Sequence, residues 1–190
     1  MDTEAIYSWD EISLTGTNMT LSESDDAYEA ISFTSWNFTF YETEYDTIYV
    51  SSNGWMSFTY STPTSPYGYI PGYTLENLDC VALYWNNLLT DDSMGGKGSI
   101  YYEFLPSPNR LVIEYDNIGG YDPDFSGTFE VIFYELGNIK FQYKNLDNFT
   151  YYVGEAGLDH GDGLNYNTFT EYFYQNPSIS SEAIEFTFDQ

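Results

Sequence analysis

Basic side chains are almost missing from this sequence: 4 Lys and Arg stand against 30 Asp and Glu, a net charge of −26 over 190 residues. Such a surface repels phosphate, which excludes nucleic acid and anionic membrane as partners. Cysteine occurs once, at Cys80, so no intrachain disulfide can form and no zinc site can rest on several thiolates. Within the apolar run "DCVALYW" it reads as a small buried hydrophobe. Histidine also occurs once, His160 in "GLDHGDG", where an exposed turn residue is a plainer reading than a base or ligand. There is no Gly-x-Ser-x-Gly elbow, phosphate-binding glycine loop or dinucleotide fingerprint. Paired carboxylates could serve glycoside hydrolysis, but among 30 acids no pair stands out. No run reaches the roughly eighteen apolar residues of a membrane span, so membrane insertion is not expected. The opening "MDTEAIYSW" lacks the basic and apolar regions of a signal peptide, which leaves export to a chain already processed.

Aromatic residues, at 21%, are abundant instead, with 21 Tyr and 14 Phe, and they favour strands. Alternation with period 2 recurs along the chain. In "ISFTSWNFTF", Ile31 and Phe33 share one face, as do Trp36, Phe38 and Phe40. "RLVIEYD" sets Leu111, Ile113 and Tyr115 against Val112 and Glu114, and "GTFEVIFYE" aligns Phe129, Val131 and Phe133. "NIKFQYK" sets Ile139, Phe141 and Tyr143 against Lys140, Gln142 and Lys144, and "AIEFTF" aligns Ile184, Phe186 and Phe188. Turn signals such as Asn53-Gly54 and Gly137-Asn138 separate the runs. In "IYVSSNGWMSF" a type I′ turn at Asn53-Gly54 is expected, because both central positions then need positive φ. Only "TLENLDCVALYW" hints at a helical turn, near Leu75–Leu78. The pattern predicts an all-β chain: a single antiparallel two-sheet sandwich, jelly-roll-like, over residues 1–190, with roughly ten to twelve strands.

The segments "FTFYETEYDTIYVSSNGWMSF", "CVALYWNNL", "GSIYYEF", "RLVIEYDNI" and "GTFEVIFYELGNIKFQY" come in an order that resembles the nidogen-type (NIDO-like) extracellular β-sandwich. Similar modules occur in surface and secreted proteins of bacteria and archaea. The likeness runs over roughly residues 7–188 and implies an extracellular or cell-surface location with structural or adhesive work, not a reaction. This chain reads Trp85-Asn86-Asn87 where the pattern has an aspartate after the tryptophan, so no role of that carboxylate carries over. The Asn53-Gly54 hairpin then reads as framework, with Trp55 or Met56 facing the core.

The acidity has three plain uses: keeping an aromatic surface soluble, suiting a saline habitat, or supplying oxygen ligands for calcium. Calcium is the one cofactor the loops suit, through Asp91 and Asp92, Asp122 and Asp124, and Asp159 and Asp162. None matches an EF-hand. Tyr67, Tyr69 and Tyr73 offer rings to a sugar. Asn18, Asn37 and Asn148 stand in glycosylation sequons. Aromatics on both faces of "IYYEF" and "VIFYE" imply that a second face is covered, by a neighbour or by the N-terminal "AIYSW". The expected function is a non-enzymatic structural or adhesive subunit that self-associates through sheet edges or an N-terminal strand. A carbohydrate-binding module is the first alternative and a glycan-acting hydrolase the second.

Overall fold

The alternating runs fold as antiparallel strands stacked in two sheets. The computed structural model describes residues 5–23, 25–60, 70, 79–90, 96–121, 124–147, 154–176 and 178–188. Strands are numbered in chain order. The first sheet runs β1 (Thr17–Asn18), β9 (Ser99–Leu105), β10 (Arg110–Gly120), β11 (Ser126–Tyr134), β12 (Ile139–Asp147) and β15 (Ile179–Phe186), with β8 (Leu88–Leu89) added to the far end of β10. The second runs β14 (Tyr166–Thr168), β13 (Glu155–Asp159), β7 (Cys80–Trp85), β6 (Trp55–Ser57), β5 (Thr47–Ser51) and β2 (Tyr28–Ser32). A separate hairpin joins β3 (Phe38–Phe40) to β4 (Thr43–Tyr45). Among the described residues fifteen strands therefore replace the expected ten to twelve, because short pieces such as β1, β8 and β14 are too brief to show alternation. The segment at Leu75–Leu78 lies outside the described residues. Helix occurs instead as a 3-10 turn at Thr20–Glu23 and as α1 (Thr170–Gln175).

The core lies between the sheets. Leu111, Ile113, Tyr115, Phe129, Val131, Phe133, Ile139, Phe141 and Tyr143 point inward from the first sheet. Ile48, Val50, Met56, Val81, Leu83, Ala156 and Leu158 meet them from the second. Two buried tyrosines tie the layers together: Tyr115 Oη donates to the Ser51 carbonyl at 2.6 Å, and Tyr143 Oη to the Leu83 carbonyl at 2.8 Å. Burial raises both hydroxyls above the ordinary tyrosine range, so they remain donors.

At Asn53-Gly54 the turn differs from expectation. Residues 52–54 form a three-residue loop between β5 and β6, and only Gly54 has positive φ, +75°. The two-residue turn with φ positive at both positions occurs instead at Tyr41-Glu42 (φ 43° and 66°), between β3 and β4. The 53–54 loop is buried and holds the corner between β7 and β8. The Asn53 side chain accepts from Leu88 N at 3.0 Å and donates to Asp26 at 2.7 Å, while the Gly54 carbonyl accepts from Leu83 and Tyr84 N–H. Met56 faces the main core, and Trp55 packs on the opposite face of the second sheet against Trp85 with rings 5.4 Å apart. Cys80 lies with them, fully buried, its thiol pushed up by desolvation.

A Cβ at Gly54 would stand 2.3 Å from the Tyr84 carbonyl oxygen, whereas one at Gly163, also at positive φ, meets open space. Gly54→Ala should therefore cost more than about 2 kcal/mol in urea unfolding, and Gly163→Ala about 1 kcal/mol, the φ penalty alone. Equal losses would show that close packing at the corner is not the constraint.

Candidate functional site

Outward-facing residues of β10, β11 and β12 form two registered rows: Glu114, Glu130 and Gln142, and beside them Val112, Ile132 and Lys140. Residues 5–12 cross this face without joining a sheet ladder, and a turn follows at 13–15. Side chains supply the bonds that a neighbouring strand would otherwise supply. Lys140 Nζ donates to the Ile6 carbonyl at 2.6 Å. Gln142 accepts from Ser8 N at 2.6 Å and donates to Ser8 O at 2.7 Å. Asp10 N donates to Glu130 Oε1 at 3.2 Å, and Ile12 N to Glu114 Oε2 at 3.1 Å. The anchored residues are 6, 8, 10 and 12, the period at which an extended chain presents backbone groups to one side.

Apolar contact and ion pairs fix the same segment. Ile12 is buried with Val112 and Ile132, rimmed by Tyr101, Leu105 and Tyr134. Arg110 grips Asp10 with two bonds of 2.7 Å, which raises the guanidinium pKa further. Lys144 pairs with Glu11 at 2.9 Å and lies 5.2 Å from the Trp9 ring centre. Of the 4 basic residues in the chain, Arg110, Lys140 and Lys144 all serve this seat, and Lys97 is the other. The second face implied by "IYYEF" and "VIFYE" is thus covered by the chain's own N-terminal segment.

Glu114 and Glu130 are fully buried beneath it. Each gives one oxygen to the segment, and Glu130 also accepts from Gln142 Nε2, while Glu114 Oε1 and Glu130 Oε2 have no hydrogen-bond partner among the described residues. Burial raises their pKa to about 7 and about 8. Desolvation lowers that of Lys140. The alternation of polar residues in β10–β12 was visible in sequence, but not that Glu114 and Glu130 would sit side by side under a cover.

The other expected residues are scattered. Asp124 is exposed. Asp159 is buried and accepts from Gly161 N at 2.8 Å. Asp162 is exposed and accepts from Asn165 and Leu164 N–H; those backbone bonds hold it at about 2. Among the described residues no group of three or more His, Cys, Asp and Glu is placed to hold a metal. Asp91, Asp92, Asp122, Tyr67, Tyr69, Tyr73 and Asn148 lie outside the described residues. Asn18 and Asn37 are exposed.

Two features had no signal in the sequence. His160 Nδ1 stands 2.7 Å from Asp79, which also accepts from Tyr45 Oη, and Tyr41 stacks on the imidazole at 4.9 Å. Burial, then the bond to Asp79, pushes Tyr45 up to about 12. Nearby, Tyr41, Glu42, Glu44, Glu135, Leu136 and Phe188 line an open groove of about 470 Å³. Positions 79 and 160, or 41 and 188, meet only through the fold.

A family model described as NIDO related matches residues 2–188. No curated protein and no solved structure matches the chain.

Replacing Gln142 by Leu removes both bonds to Ser8 at little change in volume. At about 0.5–1.5 kcal/mol per bond, amide exchange of residues 8–12 should accelerate roughly tenfold or more. Amides of β11 bonded in the sheet ladders to β10 and β12 should change far less if the segment opens independently.

Proposed function

We propose, on the premise that this chain belongs to the NIDO-related family, that it is a non-enzymatic extracellular structural or adhesive domain whose N-terminal segment can pass between copies, making it a self-assembling surface or filament subunit. The observation that carries this reading is the seating of residues 5–14, held by side chains alone on a sheet face. Nothing in that set of bonds requires donor and seat to belong to one molecule. The tether is also compact: Thr15 and Gly16 N–H both bond the Ile12 carbonyl before β1 begins, and opening this turn frees the segment to reach a neighbour. Repeated head-to-tail exchange builds an open polymer where the rotation does not close.

Free sheet edges are a weaker route. β15 closes one side of the first sheet, but Ser181 at φ 59° breaks the pairing opposite Lys144, between the Tyr143–Glu182 and Asn145–Ser180 pairs, with the register unchanged. A residue held at positive φ on an outer strand interrupts the row of free backbone groups and blunts that edge against strand addition.

Sedimentation of the full chain at rising concentration should show oligomers that vanish when residues 1–9 are deleted. A truncated chain that assembles as before would remove segment exchange from the account.

Carbohydrate binding is the second reading, and the groove beside β3 and β4 favours it. Tyr41 and Phe188 offer rings, and Glu42, Glu44 and Glu135 offer acceptors for sugar hydroxyls. Glycan-array binding lost in Tyr41→Ala, with the fold intact, would support it; binding that persists would place any sugar elsewhere. Calcium is proposed only through the loop carboxylates. A bound ion stabilises the native state, so chelation at fixed ionic strength should lower the melting temperature, and an unchanged melt would exclude it.

A further inference from the structure

We propose that Glu114 and Glu130 form a proton-dependent catch: as neutral carboxyls they hold residues 5–14 on their own sheet, and on ionising they release the segment and its seat to a second copy of the chain. The partner in this inference rests on the exchange reading above; the catch itself does not.

The geometry carries the argument. The two glutamates are direct cross-strand neighbours on β10 and β11, fully buried. Each spends one oxygen on a main-chain N–H of the segment, at Ile12 and at Asp10. Each has its second oxygen buried without a partner among the described residues, on the face that carries the apolar cluster of Ile12, Val112 and Ile132. Two adjacent carboxylates there would repel each other and lack water. A proton on each unpartnered oxygen removes the charge and leaves the oxygen that accepts from the segment untouched. Opening the segment readmits water and restores an ordinary acid strength.

The sign follows from linkage. Burial raises both acids from an ordinary value near 4.5 to about 7 and about 8, so the docked state binds more protons than the open one between those limits. Docking is strongest in mild acid and weakens as pH rises, by up to about tenfold per pH unit for each group that titrates. The other charges on this face are Asp10 and Glu11 from the segment, Glu103 on β9, Arg110 and Asp116 on β10, Lys140 and Lys144 on β12 and Glu185 on β15; Tyr7, Tyr101 and Tyr134 also border it. Asp10 and Glu11 are engaged with Arg110 and Lys144, and the bonds from Ser13 and Lys144 lower the pKa of Glu11. Lys140, its pKa lowered, would loosen the segment in the same direction at higher pH and must be separated from the catch.

Hydrogen exchange of the full-length chain at pH 5.5, 7 and 9, corrected for intrinsic rates, makes that separation. Protection of the Ser8, Asp10 and Ile12 amides should fall at least tenfold across the series. In Glu114→Gln/Glu130→Gln the side chains still accept from the segment but cannot ionise, so protection should stay level. Should the double variant misfold, Glu130→Gln alone should flatten the dependence in part, and carbon-13 carboxyl titration of the wild type should find two acids near neutrality. Flat wild-type protection, or a loss that persists in the glutamine variants, overturns the catch. Release without assembly in parallel sedimentation upholds the catch and overturns only the exchange reading.

Discussion

The central strands of the first sheet are buried on both faces, and the rest of the structure accommodates that constraint. One face meets the second sheet and needs only apolar packing, which Phe, Tyr, Ile and Val at alternate positions provide. The other must be covered by the chain itself. A bare backbone laid over a sheet face brings polar groups to an apolar surface, where each unpaired one costs roughly 1–3 kcal/mol. The solution is to plant Lys140, Gln142, Glu130 and Glu114 on that face as substitutes for a neighbouring strand. This explains why polar residues occur within runs otherwise suited to complete burial.

Substitution of this kind yields a weaker attachment than a sheet ladder. Ordering one residue costs about 1–2 kcal/mol of backbone entropy, and one hydrogen bond returns about 0.5–1.5 kcal/mol net. A segment anchored at every second residue stays near balance unless other contacts contribute. Burial of Ile12 and the two-bond grip of Arg110 on Asp10 contribute here. The segment is thus ordered but separable, while β10, β11 and β12 are tied through full ladders. Separability is what an exchangeable element needs.

The legible part of this fold was the part governed by local period. Ile31 and Phe33, Leu111 to Tyr115, and Phe129 to Phe133 alternate in the sequence as they do in the core. Less legible were features decided by distant contact. Asn53-Gly54 suits a two-residue turn by propensity, yet the loop has three residues, because Asn53 and Gly54 must also bond the β7–β8 corner. Tyr41-Glu42 takes the strained turn that its side chains disfavour, and the packing of Tyr41 on Phe40, His160 and Phe188 over-determines it. Helix α1 has the aromatic look of a strand in "TEYFYQ", but a strand would turn Glu171 to the same face as Phe169 and Phe173, whereas the helical turn buries the two rings and leaves Glu171 exposed. The doubled aromatic faces were visible too, but whether a neighbour or the chain's own end covers them depends on where residues 5–14 travel, which no local pattern encodes.

Charge placement bears on assembly. Subunits at −26 repel one another at long range, yet ordinary salt screens this beyond about 10 Å. Contact specificity then depends on the few groups within that distance. The seat gathers Arg110, Lys140 and Lys144, and the segment brings Asp10 and Glu11. With both glutamates neutral, a seat of three positive charges faces two negative ones. Ionising both adds two negative charges to the seat, and the attraction shrinks with it. A chain that keeps nearly all its cations at one place has concentrated its short-range attraction there, and the two carboxyls set how much of it is expressed.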